Sequence, residues 1–248
     1  MLVRAVGIEP TTLVTSRRCS TTELSAHLHE SENEYIKKNI LMKVISASNK
    51  NATIEAAEVL SRGGVVVYPT DTLYGLGVDA TDRKAIEKIY DIKSRVNRKP
   101  IHVVVESLQA AEPYVEVTPL ARSLAREFFP GALTIVLKAK DSVPQILLGG
   151  GDTLGIRVPD KDFCIDLARA FGKPYTTTSA NRSGAGNPLS VEDVREMLDE
   201  NFERLDLVID GGQLGERKAS TMVDATGVTP RIIREGAIPA RRILNVRG

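Results

Sequence analysis

A single α/β domain, a twisted mixed sheet with flanking helices, is the fold class that this sequence predicts, and three observations predict it. Short apolar runs, VVVYP at 65–69 and IHVVV at 101–105, have the composition of strands covered on both faces. Stretches of helical period, opened by capping residues, alternate with such runs. The last strand-like segments are joined by connections too short to hold a crossover helix, which makes the sheet mixed rather than wholly parallel.

Regular patterning begins at Met42, in MKVIS. Residues 1–41 hold no sustained period and read as a disordered or non-native extension of a domain covering 42–248. They lack the apolar centre of a signal peptide and the Arg-rich, acid-poor pattern of a transit peptide. In NATIEAAEVLSR, residues 51–62, Ile54, Ala57, Val59 and Leu60 fall on one helical face, and Gly63–Gly64 closes the helix. The strand VVVYP follows. Asp82 caps a helix reaching about Lys93, and IHVVV is the next buried strand. Thr118 followed by Pro119 is a cap with a first-turn proline; it opens a helix to Phe128 that Pro130–Gly131 ends. ALTIVLKA and TLGIRVP are further strands. Asp160 caps a helix to about Phe171, and YTTTS follows as a strand. Ser190 with Asp193 resembles a capping box for 191–200. DLVID, TMVDA and RIIRE close the domain as short strands.

Composition bounds the function loosely. The chain has 248 residues, 42% hydrophobic and 26% charged, as expected for one sizeable core. Thirty-three basic against 32 acidic residues leave a net charge of +1, so an anion site must come from local clustering. Cys19 and Cys164 lack metal-ligand spacing and fit a reducing, cytoplasmic setting, with Cys164 a core residue. No apolar run approaches the ~20 residues that span a bilayer, so no membrane partner is expected. Trp is absent and aromatics are only 4%, which disfavours a platform for stacking bases.

Four polar clusters follow strand ends, where open α/β sheets bind ligands. The first is YPTDTLYGLGVDA, 68–80: Thr70 and Thr72 flank an acid, and Gly75 and Gly77 let backbone approach a ligand. The second is KSRVNRKP, 93–100, whose Lys93, Arg95, Arg98 and Lys99 suit a polyphosphate, since Arg grips oxygens bidentately and Lys adds a point charge. It is not a P-loop, and no G-x-G-x-x-G is present. The third is TLGIRVP with YTTTSANRSGAGNP. Arg157 on its strand would be costly if buried unpaired, so a carboxylate or phosphate partner is expected. The run from Thr176 to Asn181 offers dense hydroxyl and amide hydrogen bonding. The fourth is KASTMVD with RIIREGAI, carrying Ser220, Thr221 and Arg234. Each cluster alone has an ordinary structural reading as a turn, a solvated basic face or a hydroxyl-rich strand.

Together, in this order and spacing, PTDTLYGLG, K-x-R-x-x-x-K-P, T-x-S-A-N and the late S-T with R-x-G-A resemble the YrdC-like family over about 63–240. The resemblance implies a YrdC-like fold with a concave basic cleft. It implies the activity of the family's threonylcarbamoyl-AMP synthases, nucleotidyltransferases that make threonylcarbamoyl-AMP and pyrophosphate from ATP, L-threonine and bicarbonate for tRNA modification. Thr70, Thr72, Arg157, Thr177 and Ser220 then match threonine-site positions. Lys93, Arg95, Lys99, Thr153, Ser179, Asn181, Asn187 and Arg234 match positions around ATP, with Lys93 and Arg95 as electrostatic catalysts and no protein nucleophile. Mg²⁺ would arrive with ATP, since no carboxylate cluster makes a cage for it. Expected partners are tRNA or double-stranded RNA and the downstream threonylcarbamoyl-transferase complex. Two departures, His102 two places before the family's usual P-L-I-V-H histidine and R-V-N-R-K-P for R-P-x-x-x-P, point to the sister YciO-like branch as the alternative. That branch would act on another nucleotide or modified RNA; a double-stranded RNA-binding module is the other rival. His102 itself reads as a structural or rim residue.

Overall fold

Among the described residues the first element is β1 at Lys43–Ser46. The computed structural model describes residues 42–94, 99–215 and 218–247, so the extension expected at 1–41 lies outside the described residues, as do Arg95 and Arg98. The further strands are β2 (Val66–Pro69), β3 (Tyr74–Gly77), β4 (His102–Val104), β5 (Leu133–Lys138), β6 (Thr153–Arg157), β7 (Tyr175–Ser179), β8 (Leu207–Asp210), β9 (Thr221–Asp224) and β10 (Arg231–Arg234). They join in one sheet in the order β1-β8-β2-β3-β7-β4-β6-β5-β9-β10. Pairing is parallel for β1/β8, β8/β2, β4/β6 and β5/β9 and antiparallel elsewhere. The expected mixed α/β sheet is what forms.

The helices are α1 (Ala52–Ser61), α2 (Arg83–Ile92), α3 (Pro119–Phe128), α4 (Asp162–Phe171), α5 (Val191–Leu198) and α6 (Ala240–Leu244). Local chemistry starts three of them as the sequence indicates. Asp82 accepts from the Lys84 amide, Thr118 accepts from the Ala121 amide ahead of Pro119, and Ser190 and Asp193 close a reciprocal capping box. Two expectations need correction. α4 starts at Asp162 with Lys161 in the cap position and no side-chain cap bond, so Asp160 is not its cap. In α1 the buried stripe runs through Ala52, Ala56 and Leu60, four residues apart, which turns Ile54 outward to 56% exposure.

Strand alternation divides the core in two. Val67, Leu76, Val103, Ile135 and Ile156 face one side, packing with Ile86 and Ile89 of α2, Leu120 and Leu124 of α3 and Val194 of α5. Val66, Tyr68, Val104 and Tyr175 face the other, under Ala56 and Leu60 of α1 and Phe163, Cys164 and Leu167 of α4. Small alanines on α1 let it lie close against α4 over this second face. Farther along the same face the outward positions become His102, Thr134, Arg157 and Thr177, and these line a cavity bounded by strand and loop residues.

Candidate functional site

The turn between β2 and β3 is built around one hydroxyl. Thr70 Oγ1 accepts from the amides of Thr72 (3.0 Å) and Leu73 (3.1 Å) and donates to the Leu73 carbonyl (2.7 Å). With its bonds satisfied inside the turn, Thr70 shapes the loop that carries Asp71 and Thr72. Asp71 receives Arg157 Nη2 at 2.5 Å, and Thr72 Oγ1 receives the same nitrogen at 3.0 Å. Both ion-pair side chains are buried, 7% exposed for Arg157 and 4% for Asp71. The carboxylate expected for Arg157 is therefore supplied by the chain itself. Arg157 Nε, also buried, meets no acceptor among the described residues. A buried guanidinium N–H without an acceptor is costly, and a ligand carboxylate or phosphate oxygen is the partner that suits it.

Gly75 lines the cavity, and with Gly77 it has a further role inside the sheet. A Cβ on Gly75 would lie 2.9 Å from Tyr68 Cζ, and one on Gly77 would lie 2.8 Å from Tyr68 Cε1. The two glycines make room for the Tyr68 ring, which crosses β3 and donates its hydroxyl to the Thr176 carbonyl at 3.0 Å. This ring and Tyr175 stand edge to face behind the site, with centroids 5.3 Å apart. Cys164 closes the cluster, its thiol directed at the Pro69 carbonyl at 3.4 Å. Burial pushes that thiol up to about 12, against the field of Arg157, so it stays protonated and is no nucleophile at neutral pH.

The floor of the cavity is strand-borne. His102 on β4 stands opposite Thr177 on β7. On the other side β6 offers Gly155, where a Cβ would meet His102 Cδ2 at 2.5 Å; the imidazole lies in the space that this glycine leaves. Thr134 Oγ1 and Ser220 Oγ pair at 2.9 Å, tying β5 to the start of β9. Arg234 donates to the Ser220 carbonyl at 2.9 Å. Its guanidinium is held below the ordinary arginine range by desolvation first and by the field of Arg157 second, so two positive groups share one partly dry space. The late S-T and R-x-G-A segments meet because Thr221 Oγ1 accepts from the amides of Gly236 and Ile238 and donates to the Ile238 carbonyl. Gly236 lies so close to this turn that a Cβ there would be 2.1 Å from the Ala219 carbonyl oxygen.

The cavity thus gathers Thr70, Thr72, Arg157, Thr177, Ser179, Asn187, Ser220 and Arg234 of the expected set, within about 800 Å³ of space partly open to solvent. Lys93 and Asn181 stand behind it. The Lys93 ammonium is fully buried and donates to the Ser179 carbonyl, to the Asn181 carbonyl at 2.7 Å and to Asn181 Oδ1 at 3.0 Å. Asn181 is in turn fixed by Ser179 Oγ and by the carbonyls of Ala185 and Gly186. Contrary to expectation, Lys93 does not face the cavity; it ties the end of α2 to the T-x-S-A-N turn. Thr153 begins β6 opposite Lys138, away from the lining, and Lys99 is exposed immediately before Pro100, which does line the cavity. Arg95 lies outside the described residues. Sequence reasoning passed over Thr134, and Asp71 as the partner of Arg157; His102, read as a structural or rim residue, lines the cavity, on the side that strand alternation in IHVVV allows.

A family model described as "Telomere recombination", the Sua5/YciO/YrdC model, matches residues 58–236. The chain belongs to the Sua5/YciO/YrdC family. Among its relatives, the threonylcarbamoyl-AMP synthase of Pyrococcus abyssi is 34% identical over 194 residues, 78% of this chain and 56% of that protein. The Bacillus subtilis threonylcarbamoyl-AMP synthase is 34% identical over 204 residues, 82% of this chain and 58% of that one. The structure of P. abyssi Sua5 complexed with L-threonine matches with a TM-score of 0.74 at 30% identity, covering 84% of this chain and 61% of the other. Escherichia coli YciO matches with a TM-score of 0.71 at 31% identity, covering 82% and 98%. This chain thus spans a little over half the length of the two synthases and nearly all of YciO. Among the described residues, no helix is long and apolar enough to cross a membrane.

Proposed function

We propose that this family member is an L-threonylcarbamoyladenylate synthase, a nucleotidyltransferase that makes threonylcarbamoyl-AMP and pyrophosphate from ATP, L-threonine and bicarbonate. The observation that carries the reading is the charge pattern of the cavity: among the described residues its charged lining side chains are Arg157 and Arg234, amid hydroxyls of Thr72, Thr134, Thr177, Ser179 and Ser220. That set suits an amino-acid carboxylate and hydroxyl beside a polyphosphate. Kinship with synthases, and with a structure holding L-threonine, supports the same reading.

In this reading the threonine carboxylate takes the unfilled Arg157 Nε, and Thr177 or Ser220 meets the hydroxyl. The carbamate oxygen attacks the α-phosphorus and pyrophosphate leaves. Positioning and fixed positive charge accelerate the step without a covalent enzyme intermediate. Arg234, and Lys99 beside the lining residue Pro100, would face the phosphates, with Arg95 added on the family resemblance alone. Mg²⁺ would arrive on the nucleotide, bridging its phosphates. The product would serve tRNA modification through a downstream transferase complex.

The test is pyrophosphate release from ATP, with threonine and bicarbonate each supplied or withheld. Release that requires both is expected. Nucleotide turnover indifferent to threonine would favour the YciO-like alternative. RNA affinity with a steep salt slope and no turnover would favour an RNA-binding module.

A further inference from the structure

Carbamoylation of threonine has a proton requirement that the cavity answers at one place. At neutral pH the α-amine is an ammonium, which has no lone pair to attack carbon. Some group beside it must take a proton first. The lining side chains are mostly unable to do so: threonine and serine hydroxyls are too weakly basic, and arginine stays charged. Tyr74 is also unsuited, since burial, offset by the Gly211 amide, pushes its hydroxyl up to about 12 and a neutral phenol is a poor base. His102 remains, the one lining side chain among the described residues whose ordinary pKa lies near neutrality.

Its placement fits the task. Val103 and Val104 of β4 register with Ile156 and Arg157 of β6, which puts His102 beside Gly155, two residues before Arg157 on the same face. At ~3.3 Å per residue and ~4.8 Å between strands, the Cα atoms of His102 and Arg157 lie about 8 Å apart. A small amino acid whose carboxylate is held by Arg157 can therefore present its amine to the imidazole. Gly155 leaves the ring its space, and Thr177 flanks it across β7. Among the described residues the charged groups lining this cavity are Arg157, paired with Asp71, and Arg234. Among the described residues no acidic side chain lines the cavity to compete for the ammonium.

We infer that His102 is the general base of the site, taking one proton from the threonine ammonium so that the amine can be carbamoylated. The inference rests on the synthase reading. The steps balance: the imidazole gains H⁺ and the ammonium becomes a neutral amine. The amine nitrogen bonds to the bicarbonate carbon, and the carbon–hydroxyl bond breaks. The departing hydroxide takes the second amine proton as water, leaving threonine carbamate. The carbamate oxygen then bonds to the α-phosphorus as the bond to pyrophosphate breaks.

The experiment is the pH profile, from 5.5 to 9, of kcat/KM for threonine in bicarbonate- and ATP-dependent pyrophosphate release. For the unaltered protein an acidic limb is expected, activity falling tenfold per unit below the histidine pKa, because a protonated imidazole accepts nothing. His102→Asn and His102→Gln should each lose about 10²- to 10⁴-fold near pH 7, the usual contribution of a general base, and lose that limb. Their deficit should shrink at high pH, where the amine sheds its proton to solvent. ATP binding and melting temperature should change little. A flat profile between pH 6 and 8 for the unaltered protein would overturn the inference whatever the variants do. So would a folded, ATP-binding variant within threefold of the original rate. Failure of the unaltered protein to release pyrophosphate with threonine and bicarbonate would instead overturn the synthase reading.

Discussion

Arg157 organises its surroundings through Nη2, shared between Asp71 and Thr72, while Nε meets no acceptor among the described residues. Removing one partner of a buried ion pair strands the other charge and costs about 3–5 kcal/mol. In a chain of this size 1 kcal/mol moves the melting temperature by about 2–4 °C. Asp71→Ala should therefore melt about 6–20 °C lower, and Asp71→Ala/Arg157→Met should recover part of the loss because no buried charge remains unpaired. Thermal unfolding of the two single variants and the double variant measures this; additive losses would mean that the two side chains are independent. The sequence indicates that Arg157 needs a carboxylate or phosphate. It does not indicate Asp71, 86 residues away, because ion pairing of that kind is set by strand order. Lys93 has the same history. Its place in a basic run suggests phosphate contact, whereas in the fold its ammonium holds together the turn at Ser179–Asn181.

At the scale of elements, what is local was legible. Asp82, Thr118–Pro119 and Ser190 with Asp193 announce helix starts because each cap satisfies amides within three residues of itself. β3 was hidden because its glycines, Gly75 and Gly77, read as openings for a ligand rather than as strand residues; the Tyr68 ring that requires them belongs to the neighbouring strand. Close backbone contact also explains the late motif. Gly236 lies against Ala219–Ser220, and Thr221 bridges the two segments, fixing Ser220 and Arg234 together at the cavity. A β-carbon at 236 must push the segments apart, whereas Gly215 has nothing within 4 Å of the same position and no left-handed φ. Gly236→Ala should lower the melting temperature by several degrees and raise the KM for threonine at least tenfold, while Gly215→Ala changes neither appreciably. Equal behaviour of the two variants in melting and kinetics would remove the structural account of the R-x-G-A segment.

For the molecule as a whole, the mixed sheet was readable from short connections and buried strands, but the strand order was not, since β7 lies between β3 and β4 although 70 or more residues separate them in sequence. That order places four weakly acidic groups where water does not stabilise their anions. Desolvation by burial is the leading cause in each case: it pushes Cys164 up to about 12, Tyr74 up to about 12, and Tyr68 and Tyr175 well above the ordinary tyrosine value. Each group has a folded pKa above its unfolded one. Above the unfolded value the unfolded chain releases protons that the folded chain keeps, so the stability concerned is whole at neutral pH and declines as pH rises. Cys164 begins the decline, near its ordinary 9.0, and the tyrosines join near 10.0. One proton of difference is worth about 1.4 kcal/mol per pH unit, or about 3–6 °C in a chain of this size. The melting temperature should therefore fall through the window from pH 9 to 12, by about 3–6 °C in the unit after full ionisation of the unfolded thiol, and more steeply once tyrosines contribute. Cys164→Ser should flatten the first part of that fall. Tyrosinate absorbance should show Tyr68 and Tyr175 ionising only as the chain unfolds. A melting temperature constant to pH 11, or full tyrosine ionisation in the folded protein, would mean that the second face of the sheet is open to water.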